Sequence, residues 1–133
     1  MERIGTDILV AGGGIAGMAA AARLAAAGHR VAIVEPGTLE GAGDSRTTAF
    51  LQPAVATLER AGAWAAMAPG ATPLETMRLV DAGGRERMPR TRADFVSSEV
   101  QEGPFGWNVA NADARRALAA RLRALQAVTV IEG

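Results

Sequence analysis

The chain lacks cysteine altogether, so disulfides and thiolate chemistry are excluded and the redox compartment has no marker in the sequence. Lysine is absent too: every basic residue among the 133 is arginine, a compositional bias that lowers the weight any single arginine carries. Fourteen basic residues balance fourteen acidic ones, so no field for nucleic acid is implied. No apolar run is long enough to span a bilayer, because the longest, an alanine-rich stretch, is interrupted by Arg23. The start, MERIGTD, has neither a basic leader nor a cleavage site, and no internal repeat or low-complexity tail is found. The expected location is cytoplasmic. One histidine exists, His29, in a helix-to-strand turn where it reads as surface. Asp81, Asp94 and Glu99 show no spacing suited to a metal or to paired-carboxylate catalysis.

What is present centres on Asp7 to Glu35, DILVAGGGIAGMAAAARLAAAGHRVAIVE. Ile8, Leu9 and Val10 form a short apolar run typical of a parallel strand covered on both faces. The pattern G-x-G-x-x-G follows as Gly12, Gly14 and Gly17. Gly12 suits the sharp turn out of the strand, Gly14 carries no side chain to obstruct a pyrophosphate, and Gly17 lets the helix lie close to the strand. The first amides of the helix, near Ile15 and Ala16, have no intrahelical partner and lie at the positive end of the helix dipole, which favours an anion. Gly28 ends the helix. Val31 to Val34 make the second strand, with Glu35 at its carboxyl end. A carboxylate there accepts hydrogen bonds from ribose hydroxyls and repels a 2′-phosphate, which favours FAD or NAD over NADP.

Beyond Pro36, residues 37–45 read as a loop on the carboxyl side of the sheet, where open α/β folds bind ligands. A short extended piece, TTAF, is followed by Pro53 opening a helix whose apolar face is Ala54, Val55, Leu58 and Ala61, with Gly62 as its stop. The segment MRLVDAGGRERMPR reads as two strands turning at Ala82-Gly83-Gly84, with Met77, Leu79 and Met88 facing a core. Thr91 to Pro104 has no sustained period and reads as loop. Asn111 caps a helix with Asp113 in its first turn. Its stripe is Ala114, Leu118, Leu122 and Leu125, while Arg115, Arg116, Arg121 and Arg123 read as a solvated face. Val128 to Ile131 form the last strand. Trp64 and Trp107 are expected to pack in the core or at its rim.

The expected fold is therefore α/β, Rossmann-like, with three parallel strands in order 3-2-1 joined by right-handed crossovers and an inserted helix and β-hairpin. It divides into a dinucleotide-binding β-α-β unit (1–36), an insertion that starts a substrate-side sheet (37–110) and the second crossover helix with its strand (111–133).

The succession GGGIAG, VAIVEP, DSRTTAF, ERAGAW and NVANADARRALAARL resembles the amino-terminal third of flavin-dependent aromatic hydroxylases, nearest to those of ubiquinone biosynthesis. The fold implied is the FAD-binding fold of the glutathione-reductase type. The resemblance implies that Gly12, Gly13, Gly14, Ile15, Ala16 and Gly17 hold the FAD pyrophosphate and Glu35 the adenosine ribose. It further implies that Arg46 reaches the flavin side of the phosphates and that Asn111 bonds the cofactor near its ribityl and phosphate groups. In such enzymes NAD(P)H reduces the flavin and oxygen then hydroxylates an electron-rich ring, so the implied partners are NAD(P)H and a small aromatic substrate. For a polyprenyl phenol, peripheral contact at the inner face of the membrane is implied. No catalytic acid, base or metal is nominated. The resembling enzymes run well past residue 133, so the chain is expected to be a fragment or a piece of a split gene that binds FAD poorly alone. Its first strand would then present an edge for the remainder of the enzyme or for self-association. The alternatives are another FAD oxidoreductase of this fold, an amine oxidase or reductase, and a non-catalytic nucleotide-binding domain.

Overall fold

The structure is a computed structural model describing residues 4–85 and 88–133. Three strands, β1 (Ile8–Ala11), β2 (Val31–Glu35) and β8 (Val128–Glu132), form a parallel sheet in the order β1-β2-β8, which is the expected 3-2-1 arrangement. Ile8 pairs with Val31 and Val31 with Val128, so Ile8, Val10, Val31, Ile33, Val128 and Val130 share one face.

That face is covered by α1 (Ile15–Ala26) and α4 (Asn111–Ala124). Alanine dominates α1 because the helix must approach both the sheet and α4 closely: Ala21, Ala22 and Met18 are fully buried. Gly28, φ +97°, follows the last turn in the left-handed region that only glycine enters cheaply. In α4 Ala114, Leu118 and Leu122 are buried, as the spacing predicts, with Leu125 half-buried, and Ala119 joins them. On the opposite face of the sheet, Leu9 is exposed.

Between β2 and α4 the chain builds more than the helix and hairpin that its pattern suggests. β3 (Thr47–Leu51), β4 (Thr72–Leu74) and β7 (Gly106–Ala110) form an antiparallel sheet in the order β3-β7-β4. Strand β7 lies just past the stretch read as loop. Its Gly106 has Phe50 of β3 so close that a Cβ would overlap the Phe50 carbonyl and stand 2.7 Å from the Leu51 Cα. Helix α2 (Gln52–Ala61) buries Val55, Leu58 and Ala61 and stops at Gly62, φ +76°. A short helix α3 (Trp64–Met67) follows. Trp64 and Trp107 meet edge to face, 5.8 Å between centroids, half-buried at the rim of the core.

The hairpin is displaced from its expected position. β5 (Thr76–Asp81) pairs with β6 (Thr91–Val96), so the second strand occupies residues read as loop and the connection runs from 82 to 90. Pro89 cannot donate to a ladder, and pairing resumes only where the Arg90 amide reaches the Asp81 carbonyl at 2.7 Å. Residues 86–87, which the sequence places in that second strand, lie outside the described residues. Met77, Leu79 and Met88 are exposed rather than in a core: neither face of this two-stranded ribbon has a layer to pack on among the described residues.

Candidate functional site

The glycine turn joins β1 to α1. Gly12, φ +104°, makes the bend, and its amide bonds the Val34 carbonyl at 2.8 Å. Gly17 meets the turn so tightly that a Cβ would overlap the Gly12 carbonyl oxygen and stand 3.2 Å from its carbon. At Gly12 and Gly14, by contrast, a Cβ would meet nothing within 4 Å. Open space therefore stands over the start of α1, where the amides of Gly14, Ile15 and Ala16 have no backbone or side-chain acceptor among the described residues.

Glu35 turns toward this loop. Its Oε2 accepts the Gly13 amide at 2.6 Å and its Oε1 the Gly37 amide at 3.2 Å. Those two N–H groups, Gly13 first, hold its carboxyl below the usual glutamate range, against partial desolvation. Gly13 is glycine for a reason the sequence pattern leaves open: a Cβ would stand 2.5 Å from Leu39 Cδ2 and 2.9 Å from Glu35 Cβ. Each carboxylate oxygen has a second acceptor position, so Glu35 can brace the turn and still accept sugar hydroxyls.

A second group of side chains gathers where the loop after β2 enters β3. Asp44 Oδ1 accepts Arg46 Nε at 2.9 Å and the Arg46 amide at 3.0 Å, while Oδ2 accepts Arg46 Nη2 and Asn111 Nδ2 at 2.9 and 2.8 Å. Thr48 Oγ1 donates to Asn111 Oδ1 at 2.6 Å. Arg46 and Asn111 are thus brought into one network. The Arg46 side chain is 81% exposed, leaving its outer edge open, whereas Asn111 is buried. The Arg46 guanidinium, then the Asn111 amide, keep the Asp44 carboxyl far below the ordinary range.

Asn111 departs from its expected role as helix cap. The cap position is Ala110, and no side chain bonds the first amides of α4; the Asn111 side chain is committed to Asp44 and Thr48 instead. The arginines of α4 stay at least partly in solvent, as expected, but three of the four also reach other elements. Arg115 donates to the carbonyls of Glu40 (3.0 Å) and Thr38 (3.3 Å), and Arg121 to that of Ala61 (2.9 Å). Arg123 pairs with Glu40 and Glu132. Only Arg116 makes a local surface pair, with Asp113. Of the residues that complete the site, Asp44 lies in the DSRTTAF stretch, where the resemblance implies no role for it; Thr48 and Arg115 carry no local signal, since their partners are remote in sequence, and Gly37, two residues from Glu35, contributes only a backbone amide.

Two cavities flank this network. One, of about 450 Å³, runs from Ile15, Ala16 and Ala19 of α1 to Thr48 and Phe50 of β3 and Leu58 of α2. The other, about 360 Å³ and polar, is lined by Gly41, Asp44, Arg46 and Arg115. Thr48 faces the first and Asp44 the second, so the network bridges the space beside the glycine turn and the space beside the loop that follows Glu35. His29 is exposed at the opposite, helix-end side of the crossover. Among the described residues no group of three His, Asp or Glu could hold a metal ion, and no helix is long and apolar enough to cross a membrane.

A parallel sheet, a glycine turn with free helix amides and an acid at the tip of the next strand define a dinucleotide-binding protein. Comparison with protein families narrows the class: residues 7–132 match the model of the FAD dependent oxidoreductase family, and the chain belongs to it. Among solved structures, p-nitrophenol 4-monooxygenase from Pseudomonas putida aligns with a TM-score of 0.73 at 22% identity, covering 99% of this chain and 32% of that one. PqsL of Pseudomonas aeruginosa, in complex with 2-aminobenzoylacetate, gives 0.68 at 25% identity, over 96% and 33% of the two chains. A flavoprotein/dehydrogenase from Cytophaga hutchinsonii gives 0.68 at 26%, over 95% and 30%. The chain thus spans about a third of the length of these structures. A search of curated proteins finds no match.

The family's cofactor is FAD, and the residues present fit it. Unpartnered amides and an empty space above Gly14 suit a diphosphate, Glu35 has acceptor capacity left for a ribose, and Arg46 offers a planar fork of donors suited to phosphate oxygens.

Proposed function

We propose that this chain is the FAD-binding portion of a flavin-dependent monooxygenase that hydroxylates a small aromatic ring with NAD(P)H and oxygen. The observation that carries the reading is the joining of Arg46 and Asn111 through Asp44, beside the cavity that opens at Ile15 and Ala16. A domain built only for adenosine diphosphate needs the glycine turn and Glu35; a second polar cluster fits a longer, two-sided cofactor. The family match, and the aromatic compounds that two of the structural neighbours act on or bind by name, p-nitrophenol and 2-aminobenzoylacetate, support the same direction.

In this reading residues 1–36 hold the diphosphate and ribose, residues 37–110 supply Arg46 and begin the substrate side, and residues 111–133 supply Asn111 and complete the parallel sheet. The amides of Gly14, Ile15 and Ala16 receive the phosphates without paying for reorganisation, because the turn is already braced by the Gly13 amide on Glu35. Glu35 orients the adenosine ribose, and its charge disfavours a 2′-phosphate there. FAD, when bound, supplies the redox chemistry; the protein orients it and keeps water away. A polyprenyl phenol of ubiquinone biosynthesis is the substrate class we favour, which would place the enzyme at the inner face of the membrane.

Calorimetric titration of FAD into the chain tests the cofactor assignment: weak but saturable binding is expected, weaker still in Arg46→Ala. Product analysis with phenolic and with amine substrates, under NAD(P)H, tests the reaction class. Oxidation of amines with no hydroxylated phenol would overturn it.

A further inference from the structure

A carboxylate is an unexpected neighbour for a group meant to bind phosphate, and Asp44 is one of the most highly bonded side chains of the candidate site. It takes two donors from the Arg46 side chain, one from the Arg46 amide and one from Asn111. Three consequences follow from this geometry. The long Arg46 side chain, 81% exposed, would otherwise sample many rotamers; two parallel bonds fix the plane of its guanidinium. Those bonds use Nε and one hydrogen of Nη2, so the Nη1 edge is the one left to face a ligand. Finally, a carboxylate only accepts, so Asn111 must turn Nδ2 toward Asp44 and Oδ1 toward Thr48. The amide is thereby locked in one orientation with one N–H left uncommitted among the described residues, so Asn111 has a donor of fixed direction to offer a ligand.

We propose that Asp44 is a positioning residue for the cofactor: by gripping Arg46 and Asn111 together it aims two N–H donors, one from each, at the flavin-side phosphate and ribityl oxygens. The proposal rests on the FAD reading of the site. It also makes an uncommon prediction of sign. If Asp44 merely neutralised Arg46, its removal would strengthen anion binding. If it positions, its removal weakens binding of FAD, because the order it imposes on two donors outweighs a like-charge repulsion that solvent screens at so exposed a place.

The experiment is a double-mutant cycle on the 133-residue chain, with Asp44→Ala, Arg46→Ala and the double variant, titrated with FAD and separately with AMP. Circular dichroism melts report folding. Asp44→Ala is expected to weaken FAD binding about tenfold and to cost distinctly less once Arg46 is gone, because the Arg46 share of its effect is then already lost and only the Asn111 share remains. AMP, which lacks the flavin-side phosphate and ribityl chain, should bind all variants alike. Asp44→Asn, close to isosteric, sets an N–H₂ group against the donors of Arg46 and Asn111 and is expected to lose as much as alanine, even if the alanine variant folds poorly. FAD binding unchanged or tighter without Asp44, losses that multiply in the double variant, or AMP affinity falling in step would each overturn the positioning role while leaving FAD binding by the wild type in place. Absence of any FAD binding by the wild-type chain would instead remove the cofactor reading, and this proposal with it.

Discussion

Substituting Gly14 by alanine separates the fold from the function of the glycine turn. Gly14 sits at the N-cap of α1 with φ −68° and ψ 172°, angles that alanine adopts freely, and the added methyl would meet no protein atom within 4 Å. Two small terms oppose each other: alanine is a poorer cap than glycine, by about 0.5–1 kcal/mol, and it lowers the entropy of the unfolded chain by about 0.4–1 kcal/mol. Net stability should stay within about 1 kcal/mol of wild type, a shift of at most about 4 °C in melting temperature. The methyl nevertheless stands in the space above the free amides, and a diphosphate forced outward loses their hydrogen bonds, so FAD affinity should fall at least about tenfold. Gly17→Ala is the control with the opposite profile. Alanine gains about 1 kcal/mol in a helix interior, but overlap with the Gly12 carbonyl costs up to about 3 kcal/mol or more, a net loss of about 2 kcal/mol that a thermal melt would register. Full FAD affinity in a folded Gly14→Ala chain would refute the assignment of that space to the cofactor.

Other expectations concern the supports of the site. Glu35 has a folded-state pKa below its unfolded value, so its contribution to stability is complete above the usual glutamate pKa and is lost as pH falls through the folded one; the stability gap between wild type and Glu35→Gln should therefore shrink below pH ~4, and a gap independent of pH would count against the Gly13 contact. Asp7, held to about 2 mainly by hydrogen bonds from the Arg30 side chain and amide, should titrate there by carboxyl NMR and move upward in Arg30→Ala. Leu118→Ala, which truncates a fully buried side chain in the α4 stripe, should cost about 2–5 kcal/mol, measured by denaturant unfolding.

The parallel sheet and its two crossover helices could be read from the sequence because their signals are local. Val31 to Val34 is an apolar run bounded by turn residues, and the spacing of Ala114, Leu118 and Leu122 marks one face of a helix. The insertion was less legible. β7 is short and begins at Gly106, whose role is close approach to Phe50, a fact that belongs to its partner. In β6 Ala93 and Phe95 share one face and Arg92 and Asp94 the other, but the alternation covers too few residues to stand out from the aperiodic stretch around it. At the site, Glu35 and the glycines are recognisable by spacing. The Asn111 side chain finds Asp44 and Thr48, more than sixty residues away in sequence, and no periodicity announces a bond of that range.

One such bond has a consequence for the order of events in making the protein. Leu39, fully buried beside Gly13, has its amide held by Glu132 of β8 at 2.7 Å, across 93 positions of chain. The segment that follows Glu35 therefore borrows its shape from the strand synthesised long after it. A nascent chain on the ribosome would carry the complete glycine motif early, yet capture its nucleotide well only once β8 has emerged and docked.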